Sequence, residues 1–327
     1  MLKFLLRRIL NYAVLLFVAT SLAYLMAAFA LNPIANVDLA NPNINLDAVY
    51  AQLTAYNINP NDSEFVRYGR WLRSVVFDWD WGRTPNGEDI NRIVGTRIWV
   101  SVRLVIIGTF LGMFFGVLVG AWSAVRQYRL SDRIVSVLSL ILISTPVIVL
   151  AVVLQILATS FNNATGIQFF EFIGETGRVG NYPGAALVDR LQHLLLPTIS
   201  LSLYSIASYS RYQRNLMLDT LGADYVRTAR AKGLRKGIAI RKHALRNAII
   251  PMATFFAFDV ATVFVGVSIT ETLFGWHGMG EYLIQSIQRQ DINGVTAVAA
   301  FSGLCVLAGA TLSDVLIAAV DPRVRTS

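Results

Sequence analysis

Six long runs of mostly apolar residues, 9–31, 99–124, 134–161, 194–218, 248–272 and 295–320, constrain this chain more than any other feature. A helix rises about 1.5 Å per residue, so about 20 apolar residues carry it across a hydrocarbon core. Every run reaches that length approximately, and the runs predict an all-α polytopic membrane protein with six transmembrane helices. The fourth is the least apolar, because it carries Ser200, Ser202, Ser205, Ser208 and Ser210, yet Pro197 and the arginines after Tyr209 frame it as a span. Composition agrees: 55% of the 327 residues are hydrophobic, more than a soluble domain of this size can hide from water.

The first run follows Lys3, Arg7 and Arg8 and ends near Ala28 and Ala30, the outline of a cleaved signal peptide. A signal's apolar region is only roughly 7–15 residues long, so the run is read as a retained first span, residues 1–31. The net charge of +8 does not point to nucleic acid, since the basic residues lie between apolar runs instead of on one soluble face. Their distribution sets orientation, because basic residues close to a span resist translocation. The N-terminus, the segments around Arg126–Arg133 and Arg211–Arg246, and the tail carry twice as many Lys and Arg as the alternate segments. Both termini, including the tail 321–327, are therefore expected in the cytoplasm. The segment 32–98, with acids from Asp38 to Asp89 and aromatics Trp71, Phe77, Trp79 and Trp81, is then external. It is too long for a connector and is expected to fold over the external mouth. Residues 99–320 form a five-helix core.

Several chemistries are excluded. No Gly-rich phosphate loop with its Lys and Ser/Thr occurs; Gly233-Leu234-Arg235-Lys236-Gly237 has the wrong spacing, so the chain is not expected to bind ATP. His193, His243 and His277 form no pair at helical ligand spacing, and no metal site is expected. No Gly-x-Ser-x-Gly elbow is present, so no catalytic residue is assigned. Cys305 is the single cysteine and excludes an intrachain disulfide.

The cytoplasmic loop 219–251 reads as two short amphipathic helices separated near Gly233 or Gly237. Tyr225, Ala229 and Leu234 are placed to pack, with Arg227, Arg230, Lys232 and Lys236 solvated or facing an acidic surface. By periodicity alone, binding of anionic lipid headgroups is an equal alternative.

The loop's sequence is more specific than its periodicity. Asp224-Tyr225-Val226-Arg227-Thr228-Ala229-Arg230-Ala231-Lys232-Gly233-Leu234, followed by Ala244 to Pro251, resembles the cytoplasmic loop of bacterial dipeptide and oligopeptide permease subunits of ATP-binding-cassette importers. Arg227 and Thr228 stand where importers in general carry Glu and Ala, a departure typical of the peptide branch. Asp80-Trp81-Gly82, Thr145-Pro146, His193 to Pro197, Glu271 to Phe274 with Gly278-Met279-Gly280, and Asp321 to Arg325 follow in the family's order, so the likeness covers nearly the whole chain. Within the family it resembles the B-type oligopeptide subunits.

The resemblance implies the type I importer permease arrangement in a bacterial inner membrane. It also implies a second related permease subunit (or a second copy), one or two ATPase subunits that carry ATP and Mg, an extracytoplasmic binding protein and a peptide substrate. Asp224, Tyr225, Arg227, Ala229, Lys232, Gly233 and Leu234 would dock against the ATPase. Rival readings are a same-family importer of nickel, glutathione or another small solute, and a secondary transporter or channel that needs no ATPase.

Within the runs, Gly108, Gly112, Gly116 and Gly120 make a stripe for close helix packing or for sliding. Pro146 is a candidate hinge. Asp259, Arg103 and Asp314 are the intramembrane charges. Asp259 is read as a pathway acid or as the partner of Arg103 or of a neighbouring subunit, and Asp314 as paired with basic loop residues.

Overall fold

The computed structural model describes residues 2–37, 44–177 and 183–320. Among them the regular elements are helices: α1 (Leu2–Ala30), α2 (Leu46–Ala55), α3 (Glu64–Arg73), α4 (Ile90–Val125), α5 (Leu130–Ser144), α6 (Val147–Thr165), α7 (Ala185–Leu221), α8 (Asp224–Ala231), α9 (Lys236–Ala239), α10 (Arg246–Phe274), α11 (Met279–Gln288) and α12 (Ile292–Val320). Two π-helical stretches, Ser74–Asp78 and Ile240–Leu245, extend α3 and bridge α9 to α10. Four of these helices combine span length with apolar character over Arg8–Ala30, Ile90–Val125, Val147–Thr165 and Ile292–Leu312. The chain is an all-α polytopic membrane protein.

Two sequence expectations need correction. The run 134–161 is two helices, α5 and α6. Thr145 is extended, with ψ 124°, the conformation that the ring of a following proline favours; Pro146, itself extended with ψ 139°, is the N-cap residue of α6, so its missing N–H falls outside the helix. Asp132 meets Arg214, Ser139 Oγ lies 3.1 Å from Ser210 Oγ, and Gln192 donates to the Gln168 and Phe169 carbonyls. The halves thus lie end to end along α7 with the break between them. Secondly, α4 begins at Ile90, so the end of the segment 32–98 belongs to a 36-residue helix.

The chain forms two compact units, Met1–Val102 with His277–Leu307, and Arg103–Trp276 with Ala308–Ser327. In the first, Tyr24, Ala27 and Ala28 of α1, Trp71 of α3 and Ile292 of α12 make one buried cluster. Trp71 stacks on Tyr24 at 4.6 Å between ring centroids and meets Trp81 edge-on, each pair adding about 0.5–1.5 kcal/mol beyond area burial. Trp79 meets Trp81 edge-on at 6.1 Å while staying exposed, and Phe77 is exposed as well. Arg67 is buried and reaches the Ala28 carbonyl at 3.5 Å and Glu64 at 3.6 Å, placing a cation at the negative end of α1.

Asp291 caps α12: its Oδ1 accepts the Gly294 N–H at 2.9 Å, and the Tyr282 hydroxyl lies 3.5 Å from Oδ2. Burial pushes this carboxyl up to about 6, against about 3.9 in an unfolded chain. The folded state therefore holds the proton more tightly, and stability falls as pH rises through that window. Asp291→Asn keeps the cap and is expected to flatten this slope. Thermal melts in detergent between about pH 4 and 7 check it; equal slopes in variant and wild type would refute it.

In the second unit α7 is the central strut. Gly108 packs on Leu201, Gly112 on Ser205, Gly116 on Tyr209 and Gly120 on Ser210 and Gln213. Both helices advance by four residues per contact, the spacing that lets backbones approach. Ser202 Oγ donates to the Gly108 carbonyl at 3.1 Å. Ser200, Ser202, Ser205 and Ser210 of the least apolar run are all buried.

At one end of this unit Asp132 is 2% exposed. Arg214 donates to it in fork geometry, Nε to Oδ1 at 2.7 Å and Nη2 to Oδ2 at 2.9 Å, and the Ser123 hydroxyl and Tyr128 N–H complete its shell. The start of α5, the end of α4 and the last third of α7 are thereby tied at one point.

Candidate functional site

The motif residues 224–234 fold into α8 and its C-terminal turn. Val226 and Ala229, one turn apart, are buried against Ala124 of α4, Met217 of α7, Ala239, Ala244 and Ala248, with Leu234 packed on the rim. Asp224 and Arg227 face outward with side chains 98% and 76% exposed and lie 3.9 Å apart. Thr228, Arg230 and Lys232 are also exposed. A short helix thus rests on a small apolar seat and offers a charged outer face.

Two positions depart from expectation. Tyr225 is 41% exposed, and the inward residue is Val226, which the motif reading passed over; its three-residue spacing from Ala229 was the available signal. Ala229 lies on the buried face, where it seats the helix.

The end of α8 is fixed by backbone geometry. The Gly233 N–H donates to the Arg230 carbonyl at 2.9 Å, and the Leu234 N–H to the Ala229 carbonyl at 3.3 Å, the two bonds of a Schellman turn with Leu234 as its hydrophobic contact. Gly233 has φ +91°, and nothing lies within 4 Å of where a Cβ would stand. Glycine is needed there for its φ, since surrounding space is free. The second short helix expected in the loop is not separate. From Lys236 the chain stays helical through α9 and the π-helical stretch into α10, and Gly237 lies inside it. Only the short link Lys232–Arg235 separates α8 from that continuous helical stretch.

The intramembrane charges do not converge. Arg103 pairs with Glu175 at 2.6 Å. Asp259 lies beside the Tyr209 phenol, which packs on Gly116, a depth roughly 20 Å along α4 from Arg103 at 1.5 Å per residue. An Asp259–Arg103 pair is excluded by that distance. The side chain of Asp314 lies outside the described residues. A further group that sequence spacing concealed is Glu171, Asp189 and His193, whose ligand-capable atoms all lie within 4.8 Å of one another; it joins one histidine to two carboxylates, which histidine spacing does not show.

Residues 116–326 match the family described as binding-protein-dependent transport system inner membrane component. Over the full length of both chains, the protein is 45% identical to the oligopeptide transport system permease protein OppB of Mycobacterium tuberculosis. It is 30% identical to the oligopeptide transport system permease protein AppB of Bacillus subtilis, over 81% of this chain and 82% of that one. To the di/tripeptide transport system permease protein DppB of Pseudomonas aeruginosa it is 35% identical, over 64% and 66% of the two chains.

Proposed function

The chain belongs to the family of inner-membrane components of binding-protein-dependent transport systems, and from that premise we propose that α8 is the surface through which a partner ATPase drives it. The chain is a permease subunit of an ATP-binding-cassette peptide importer. Its helices form half of the pathway, a second related permease subunit completes it, and an extracytoplasmic binding protein delivers peptide. Both termini and α8 lie in the cytoplasm. ATP and Mg are held by the partner ATPases.

The observation that carries this reading is the build of α8. A buried face of Val226 and Ala229, a rigid C-terminal turn at Gly233 and an outward face of Asp224, Arg227 and Lys232 make a part that transmits displacement without melting. A helix that merely bound lipid headgroups would not need the fixed turn into α10.

The test is Gly233→Val. A left-handed residue with a Cβ costs about 1–2 kcal/mol, so the turn opens while the membrane spans are untouched. Peptide uptake is expected to fall roughly tenfold, the factor that such a cost sets, with normal amounts of chain in the membrane. Wild-type complex extracted in mild detergent is expected to carry ATPase subunits with it. Normal uptake by the variant, or an active wild-type assembly without ATPase, overturns the reading.

A further inference from the structure

We propose that Glu171, Asp189 and His193 form a divalent-cation site of zinc type that staples the α6–α7 connection to the first turns of α7. The three residues stand outside the apolar runs, Glu171 in the connection and Asp189 and His193 one turn apart on α7.

Histidine ligands are recognised by what their second nitrogen does. His193 is 3% exposed and its Nδ1 lies 2.9 Å from the main-chain carbonyl of Asp189. A carbonyl only accepts, so Nδ1 carries a proton, and it also lies 3.6 Å from Asp189 Oδ1. Nε2 faces Glu171 Oε2 at 3.7 Å. That is too long for a hydrogen bond and close to the separation of roughly 3.4 Å that two ligands about 2.1 Å from one tetrahedral zinc adopt.

Asp189 is 4% exposed, and its two oxygens share the Gly177 N–H at 3.1 Å each. A carboxylate has about four lone-pair sites, so capacity for a cation remains. Burying one carboxylate beside a second is unfavourable unless a positive charge joins them. One nitrogen and two carboxylate oxygens form a donor set that zinc accepts, with water as the fourth ligand.

The loop that brings Glu171 is held in place before any ion arrives. Asn162 accepts the Phe169 and Phe170 N–H groups and donates to the Phe170 carbonyl. Gly174 N–H donates to the Phe274 carbonyl at 2.7 Å, and Glu175 is fixed by Arg103. A Cβ on Gly177 would stand 2.8 Å from Glu171 Oε2 and 2.9 Å from His193 Cε1, so the loop closes over the pair only with glycine there. Independently, a cavity of about 290 Å³ lined by Asn162, Asn163, Gln168, Glu171 and His193 opens on the Glu171–His193 edge, giving an entry path and room for the water.

The test uses the full chain with whatever subunits stay bound in mild detergent, carrying a purification tag without histidine. Zn²⁺ is titrated in competition with a chromophoric chelator, and Co²⁺ is substituted to read ligand-field absorption. One tight site per chain is expected in the wild type, weakened at least about tenfold in Glu171→Gln and in His193→Asn, with the cobalt band lost from both. Glu171 is one-third exposed, so its variant decides the matter should the buried histidine variant fail to fold. Absence of a saturable site in the wild type, or unchanged affinity in Glu171→Gln, overturns the proposal.

Discussion

Replacing Asp132 with alanine is expected to destabilise the folded chain by about 3–5 kcal/mol, because removing one member of a buried pair strands the charge of the other. The Arg214 guanidinium would keep its cation with no carboxylate in fork geometry, and the Ser123 hydroxyl and Tyr128 N–H would lose their acceptor. Thermal melts of detergent-extracted protein, or the monodisperse fraction on gel filtration, measure the loss. The double variant Asp132→Leu with Arg214→Met is expected to recover a good part of it, since an apolar pair leaves no orphaned charge. A double variant as unstable as Asp132→Ala would show that shape, and not charge, is what this junction needs. The same pair has a pH consequence. Hydrogen bonding from Arg214, joined by Ser123 and Tyr128 and opposed by burial, holds the Asp132 carboxyl well below the usual range. Its stabilisation is present above about pH 4 and lost on further acidification, the opposite sign to that of Asp291, so the two contributions separate along the pH axis.

Gly116→Leu is expected to be almost as damaging, and to act by distance instead of charge. A Cβ at Gly116 would stand 2.5 Å from the Tyr209 Cβ and 3.1 Å from the Ile206 carbonyl. Backbone atoms cannot swing aside as a long side chain does, so α4 and α7 must part along the stripe. Overpacking of this kind costs about 1–3 kcal/mol and at times more, and the lost contacts include the Ser202 bond to Gly108. Gly116→Ala is expected to show a smaller loss of the same kind. The control lies on the same helix: nothing is within 4 Å of a Cβ at Gly95, so Gly95→Ala is expected to be neutral or slightly stabilising, since alanine is favoured over glycine by about 1 kcal/mol within a helix. Melting temperature checks both; a Gly116→Leu chain as stable as Gly95→Ala would mean that the stripe is a loose seam and not a packed one.

Much of the fold was legible because it follows from local rules. An apolar run of span length has to be helical in lipid, and the six runs fall in helices, the third of them in two. Pro146 was legible as a hinge, although the third run read as one helix and not two, and Gly233, one of two candidate separators, is where α8 ends. The motif of α8 and its neighbours pointed to the family that the matched relatives then showed. Legibility failed where partners are distant in sequence. Arg214 looked like one more basic loop residue, and Asp132 was hidden among Arg126, Arg129 and Arg133. Tyr225 looked like a packing residue because it is aromatic, although the apolar seat under α8 has room for Val226 instead. His193 stands alone by histidine spacing, since its neighbours Glu171 and Asp189 are carboxylates.

The sequence by itself determined that this chain is a bundle of membrane helices and which family it joins, because hydropathy and contiguous motifs act within a few residues of themselves. Only the tertiary structure decided which polar groups meet. The pairing of Asp132 with Arg214, the seating of the glycine stripe on α7, the face that α8 turns outward and the gathering of Glu171, Asp189 and His193 all depend on how far each helix is displaced and rotated against its neighbours. That is set by the packing of many side chains at once, and no short stretch of the sequence records it.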